Sequence, residues 1–252
     1  MHDPIAGYVA IALLGSLGCV PLSATSLPVA HGTLALGPGG LTAGGQLQIT
    51  VDAWARLSGA TGGLTLQSKG AKDVPSLIVE VLDRGVPAGA PVDLTFVVDT
   101  TGSMGDDIDA VKADMQAIQA HLQARNPDHR IGVVAYRDRG DIYESQLMQP
   151  MTGDDAAARA AIGALEVGGG GDLREHVYAG ITTALGDQAW RPGVSQHIIL
   201  MGDAPPHDDY ADDPRTFASV DQAARRATLA VRIHTIGVQC DLLCQALIGV
   251  GL

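Results

Sequence analysis

The chain has 252 residues, 46% of them apolar and 4% aromatic, with a formal net charge of −12. That length holds one full domain plus an extension, or two small domains. The acidity, and the lack of any basic run, exclude a nucleic-acid-binding role, because nothing would neutralise phosphates.

The first 26 residues contain an apolar segment, Ile5–Val20, which has the length of a signal-peptide core and falls short of a membrane span. It ends in Ser16-Leu17-Gly18-Cys19, similar to the box that precedes a lipidated cysteine in bacterial lipoproteins, although Ser16 stands where Leu is usual. No Lys or Arg precedes Arg56. The expectation is an exported protein of the periplasm, cell envelope or exterior, with Cys19 as the lipidation candidate. An N-terminal lipid or anchor is the only membrane attachment expected. Cys240 and Cys244 are left open between a pair and two reduced thiols.

Residues 27–90 are rich in Gly, Thr, Leu and Val. Short alternating runs at Gly32–Leu36, Gln46–Trp54, Gly63–Gln67 and Leu77–Leu82 lie between Gly/Pro/Lys turns. This texture predicts a small β-rich module, with Pro87–Pro91 as the linker to the next domain.

From Val92 the pattern changes to strands alternating with helices, the mark of a parallel α/β sheet. Strands are predicted at Asp93–Val98, Arg130–Tyr136, His197–Met201 and Val231–Val238, with an edge strand near Ser145–Gln149. Helices are predicted over 106–125, 154–166, 175–185 and 213–230. The first strand ends at Asp99 and runs into Thr101, Gly102 and Ser103. In such sheets ligands bind beyond the strand carboxyl ends. A carboxylate with two hydroxyls on alternate residues can converge on a hard cation, which takes oxygen ligands. Two later loops also carry acids: Gly168–Glu175, with Asp172 and Glu175, and Gly202–His207, with Asp203.

The motifs D-T-T-G-S-M (99–104), G-G-G-G-D-L-R-E (168–175) and I-I-L-M-G-D-A-P-P-H (198–207), in this order, resemble a von Willebrand factor A domain with a metal-ion-dependent adhesion site. The resemblance covers roughly residues 92–240 and is nearest to the integrin-β-like and hemicentin-like branch. It implies a doubly wound, mainly parallel, Rossmann-like sheet. It also implies a Mg2+ (or Mn2+/Ca2+) ion held by Asp99, Thr101, Ser103, Glu175 and Asp203 and completed by an Asp or Glu of a partner protein. In that branch two acids after the Ser and Met hold an adjacent ion; here they are Asp106 and Asp107, which also suit the first turn of a helix. Asp172 is a further acid of this secondary set. The second loop has Arg174 where the branch has Pro. A family member continues past the strand at 231–238 with a helix, a strand and a closing helix, but only Cys240–Leu252 remains, so the last strand and helix are expected to be missing.

Two rivals stand beside this reading. D-T-T-G-S also resembles the D-K-T-G-T motif of haloacid-dehalogenase-like phosphatases, with Asp99 as a Mg2+-assisted nucleophile. Thr100 replaces its Lys, and the chain has only Lys69, Lys72 and Lys112. The other rival is a structural domain without metal. No base is assigned beside Ser103, so the chain is read as a binding module and not an enzyme.

Overall fold

Leu94, Phe96 and Val98 alternate with Thr95 and Val97 along β2 (Val92–Asp99), a strand buried at all eight positions. Burial on both faces requires a layer of helices on each side, which is why its residues read as a continuous apolar run. A computed structural model describes residues 43–226 and 229–238. The remaining elements are α1 (Ala43–Thr61), β1 (Thr65–Gln67), α2 (Val74–Gly85), α3 (Gly105–Arg125), β3 (His129–Tyr136), β4 (Ser145–Thr152), α4 (Asp155–Gly163), α5 (Val177–Asp187), β5 (Ser195–Gly202), α6 (Phe217–Ala224) and β6 (Arg232–Gly237).

The strands form one six-stranded sheet in the order β1-β6-β5-β2-β3-β4. All neighbours pair in parallel except β3 and β4, so β4 is an antiparallel edge, as expected. Even-numbered residues of β2 face a core with α2, α3 and α4, where Val74, Ile78, Ile108, Met115 and Ile118 pack. Val97 faces the opposite core with Trp54 and Leu57 of α1, Ile181 of α5 and Val220 of α6. Asp99 and Tyr136 are register partners at the carboxyl ends of β2 and β3.

The N-terminal β-rich module is corrected. Gln46–Trp54 lies inside α1 and Leu77–Leu82 inside α2; among the described residues of this region only Thr65–Gln67 is a strand. In α2 the buried residues are Val74, Pro75, Ile78, Val81 and Leu82, a helical period that the β-branched composition masks. These elements belong to the same compact unit as the sheet. The predicted linker is a tied turn, with Asn126 Nδ2 donating to the carbonyls of Pro87 and Ala90 at 2.8 Å each. The outer edge of β6 is paired with β1, Leu66 opposite Ile236.

The last helix is also shorter than predicted. Asp213 is held in a loop by Arg215, and Thr216 opens α6 with a capping box to Ser219. The Ile5–Val20 segment, Cys19, the Gly32–Leu36 run and the Cys240/Cys244 pair lie outside the described residues. Among the described residues no helix is long and apolar enough to cross a membrane.

Candidate metal centre

Asp99 is fully buried where β2 ends. Its Oδ1 accepts from the Thr101 backbone N–H (2.9 Å) and the Thr101 hydroxyl (2.7 Å), while Oδ2 is buried without a hydrogen-bond partner. Glu175 arrives from the glycine-rich loop, is 4% exposed, and has a buried Oε2 that also lacks a partner. Asp203 follows β5 and is half-buried. Unpaired buried carboxylate oxygens are costly, and the two on Asp99 and Glu175 are of the chemistry that a cation would relieve.

The acids act on one another. Burial, then the charge of Asp203, pushes the Asp99 carboxyl up to about 8. Burial, then the charges of Asp99, Asp138 and Asp203, pushes Glu175 up to about 10. An oxygen-only donor set of this kind suits a hard cation such as Mg2+, which keeps part of its own water shell. Ser103 is half-buried in the short helical turn Gly102–Met104 that leads into α3.

Backbone contacts bring the loops together. Gly168 N–H donates to the Thr100 carbonyl (3.0 Å) and Gly102 N–H to the Gly169 carbonyl (3.4 Å). Gly170 has a φ of +77°, and a Cβ there would lie 3.2 Å from Glu175 Oε1 and 3.4 Å from Thr101 Cβ. The positive φ favours glycine there, and a Cβ would also crowd the Glu175 carboxylate. Arg174 keeps the second loop in place without the proline of the resemblance. Its backbone N–H donates to Asp172 Oδ1 (2.7 Å) and its guanidinium to the Pro206 carbonyl (2.9 Å). Glu175 pairs with Pro206 in an isolated parallel bridge, which fixes the second and third loops side by side.

The secondary set is not brought together. Asp106 is exposed on the first turn of α3. Asp107 is buried and borders a small cavity with Val74, Val98, Met104 and Ile108. Asp172 instead lies with Asp138 and His207.

Tyr136 was missed by sequence reasoning. It is buried against Asp99, and its phenol is raised well above its ordinary value by burial and by the charges of Asp99, Glu175 and Asp203. A Cβ at Gly202 would lie 2.4 Å from the Tyr136 hydroxyl and 3.0 Å from Asp99 Oδ2, so β5 must be bare there. Nothing in the sequence marks this tyrosine beyond its place at the end of a strand.

The Dictyostelium discoideum protein named "Alpha-protein kinase vwkA" is 27% identical over 131 residues, 51% of this chain. The chain covers 21% of that relative's length. Among solved structures, the vWF domain of the type V pili tip protein Mfa5 from Porphyromonas gingivalis is 28% identical, with a TM-score of 0.35 and coverage of 46% of this chain and 38% of that one. The conserved hypothetical protein BatB from Bacteroides thetaiotaomicron is 16% identical, with a TM-score of 0.43 and coverage of 58% and 66%. The sequence profile of the von Willebrand factor A domain matches residues 93–234, which span β2 to β6 and all three loops of the centre. On that match, which takes in more than half of its length, the chain belongs to the von Willebrand factor A domain family.

Proposed function

We propose that this chain is a divalent-cation-dependent protein-binding module of the adhesion type. Asp99, Thr101, Ser103, Glu175 and Asp203 would hold Mg2+, or Mn2+ or Ca2+ in its place. The bound cation supplies positive charge and an open coordination position, which an Asp or Glu of a partner protein fills. The observation that carries this reading is the pair of buried, partnerless oxygens, Asp99 Oδ2 and Glu175 Oε2, in a cluster of mutually repelling acids.

The chain's own residues set the geometry. Thr101 occupies Oδ1 of Asp99 from two donors and so leaves Oδ2 for the cation. The Glu175–Pro206 bridge fixes the spacing of the second and third acids. Phosphoryl transfer, the rival chemistry, gains no support from the lysines: Lys112 donates its ammonium to the Leu165 carbonyl (2.6 Å). Export, with or without lipidation at Cys19, rests on the apolar Ile5–Val20 segment alone.

The test is calorimetric titration of Mg2+ and Mn2+ into wild type and Asp99→Ala, with capture of partners from the native source in the presence and absence of EDTA. Loss of cation binding in the variant, and release of a bound protein by EDTA, are expected. Unchanged affinity in Asp99→Ala would sink the assignment.

A further inference from the structure

Beside the proposed centre, Asp138, Asp172 and His207 converge from three different loops. The His207 side chain is 3% exposed, and its Nε2 is buried without a hydrogen-bond partner. That nitrogen faces Asp138 Oδ1 at 3.4 Å and Asp172 Oδ1 at 3.5 Å. Each group is held from behind. His207 Nδ1 lies 2.7 Å from Asp209 Oδ1, and the His207 backbone N–H donates to the Glu175 carbonyl (3.2 Å). Tyr210 stacks on the imidazole with ring centroids 4.1 Å apart and donates its hydroxyl to Asp138 Oδ1 (3.0 Å). Asp172 Oδ1 accepts from the Arg174 backbone.

The carboxylate of Asp209 is an acceptor only, so it fixes the proton of the neutral ring on Nδ1. The Nε2 lone pair then points at two carboxylate oxygens, an arrangement that is repulsive unless a cation lies between them. A carboxylate behind one ring nitrogen with a ligating lone pair on the other is how metal-binding histidines are oriented.

A second cluster provides the contrast. Glu144, His176 and Asp213 also converge, but Arg215 donates to Glu144 Oε2 and Asp213 Oδ2, each at 2.6 Å, and Arg139 to Asp213 at 2.8 Å. That cluster carries its own cations. Of the arginines flanking the His207 cluster, Arg139 is spent on Asp212 and Asp213, and Arg174 donates to the Pro206 carbonyl.

We propose that Asp138, Asp172 and His207 form a second cation site, next to the first but with different ligands. Its imidazole favours a borderline transition ion such as Zn2+ or Co2+ over Mg2+. The site does not depend on the first being a metal site, since it shares none of its proposed ligands.

The test is equilibrium dialysis of the full chain against Zn2+ in excess Mg2+, with the thiols of Cys19, Cys240 and Cys244 alkylated so that they do not compete. Wild type is expected to bind one Zn2+, and Asp99→Ala to keep it. Asp209→Ala, which removes the supporting carboxylate, should weaken it about 10- to 100-fold. His207→Ala should abolish it. Asp172→Asn alters a side chain that is 57% exposed and should also weaken it, so the result survives any packing damage in His207→Ala. Equal Zn2+ binding in wild type, His207→Ala and Asp172→Asn would overturn the site. So would a wild-type protein that binds no Zn2+.

Discussion

Trp54 donates its indole N–H to the carbonyl of Ala204 across 150 residues of sequence, at 3.2 Å and in a buried setting. The donor sits on α1, and the acceptor is the residue after Asp203 in the third loop of the proposed centre. The helix before the family-matched region thus helps set the position of one of the acids. Trp54→Phe keeps most of the apolar surface and leaves the Ala204 carbonyl unpaired, at a cost of about 1–3 kcal/mol. The expected result is a lower melting temperature together with weaker Mg2+ binding. A variant that melts earlier but binds Mg2+ as wild type would show that α1 supports only the fold.

This contact was invisible in the sequence, where Trp54 only closes the alternating run Gln46–Trp54. The buried β2 strand, the Asp99 turn and the order of the three loops were legible because a continuous apolar run ending in an acid has few other uses. The helices α1 and α2 were not. Leu77-Ile78-Val79-Glu80-Val81-Leu82 is β-branched and looks like a strand, and only the spacing from Val74 and the proline in the first turn mark it as helical. Tyr136, and the approach of His207 to Asp138, depend on register and loop closure, which no local pattern encodes.

The sheet edge depends on the same N-terminal region. β1 pairs with β6, Ile233 N–H donates to Thr61 Oγ1 (2.9 Å), and Thr235 N–H to the Leu64 carbonyl (2.8 Å). A chain beginning at Pro91 would expose the β6 edge and the apolar surface under Trp54, Leu57, Ile78 and Leu82. Losing several such buried side chains, each worth about 1.5–3 kcal/mol, removes an amount comparable with the whole stability of an ordinary domain. That truncation is expected to aggregate or to show no cooperative melt by circular dichroism, although it keeps the whole family-matched region.

Acid should weaken the fold through a buried histidine pair. Leu64 N–H donates to His234 Nδ1 (3.1 Å), so His234 carries its proton on Nε2 and gives it to His197 Nδ1 (3.0 Å). His197 in turn donates from Nε2 to Ser195 Oγ (2.7 Å). Neither ring has a lone pair left for another proton. Burial, and for His197 then the neighbouring His234, depress His197 to about 3; burial, then Arg232, depress His234 to about 4. The unfolded rings take up protons below about 6.5 while the folded rings stay neutral, so stability present above that pH is lost as pH falls towards 4. Two such groups contribute a slope of about 2–3 kcal/mol per pH unit within that window. Denaturant melts at pH 7, 6 and 5 should show this fall, and His234→Gln should remove about half of the slope.

Gly202 should be intolerant of a single methyl group. Its Cβ would meet the Tyr136 hydroxyl at 2.4 Å in a fully buried position. Overpacking of this kind costs about 1–3 kcal/mol. Gly202→Ala is expected to lower the melting temperature and displace Asp99, and Tyr136→Phe in the same chain should restore part of the loss by removing the clashing oxygen. Losses that simply add in the double variant would mean that the two residues do not share this contact.

The clearest signature of a cation centre is a substitution that has opposite effects with and without the ion. Glu175 is pushed up by burial and by like charges, so without a cation its ionised form works against the fold. Glu175→Gln is close in size and removes that charge. In EDTA at pH above 7 the variant should melt at or above the wild-type temperature. Adding Mg2+ at a hundred times its Kd stabilises a binding-competent fold by about 2.7 kcal/mol, and the variant should gain little or none of this. The wild-type and variant melting curves should therefore cross as Mg2+ is titrated in. A variant that is less stable than wild type in EDTA, and that gains the full Mg2+ stabilisation, would place Glu175 in a structural role outside the centre.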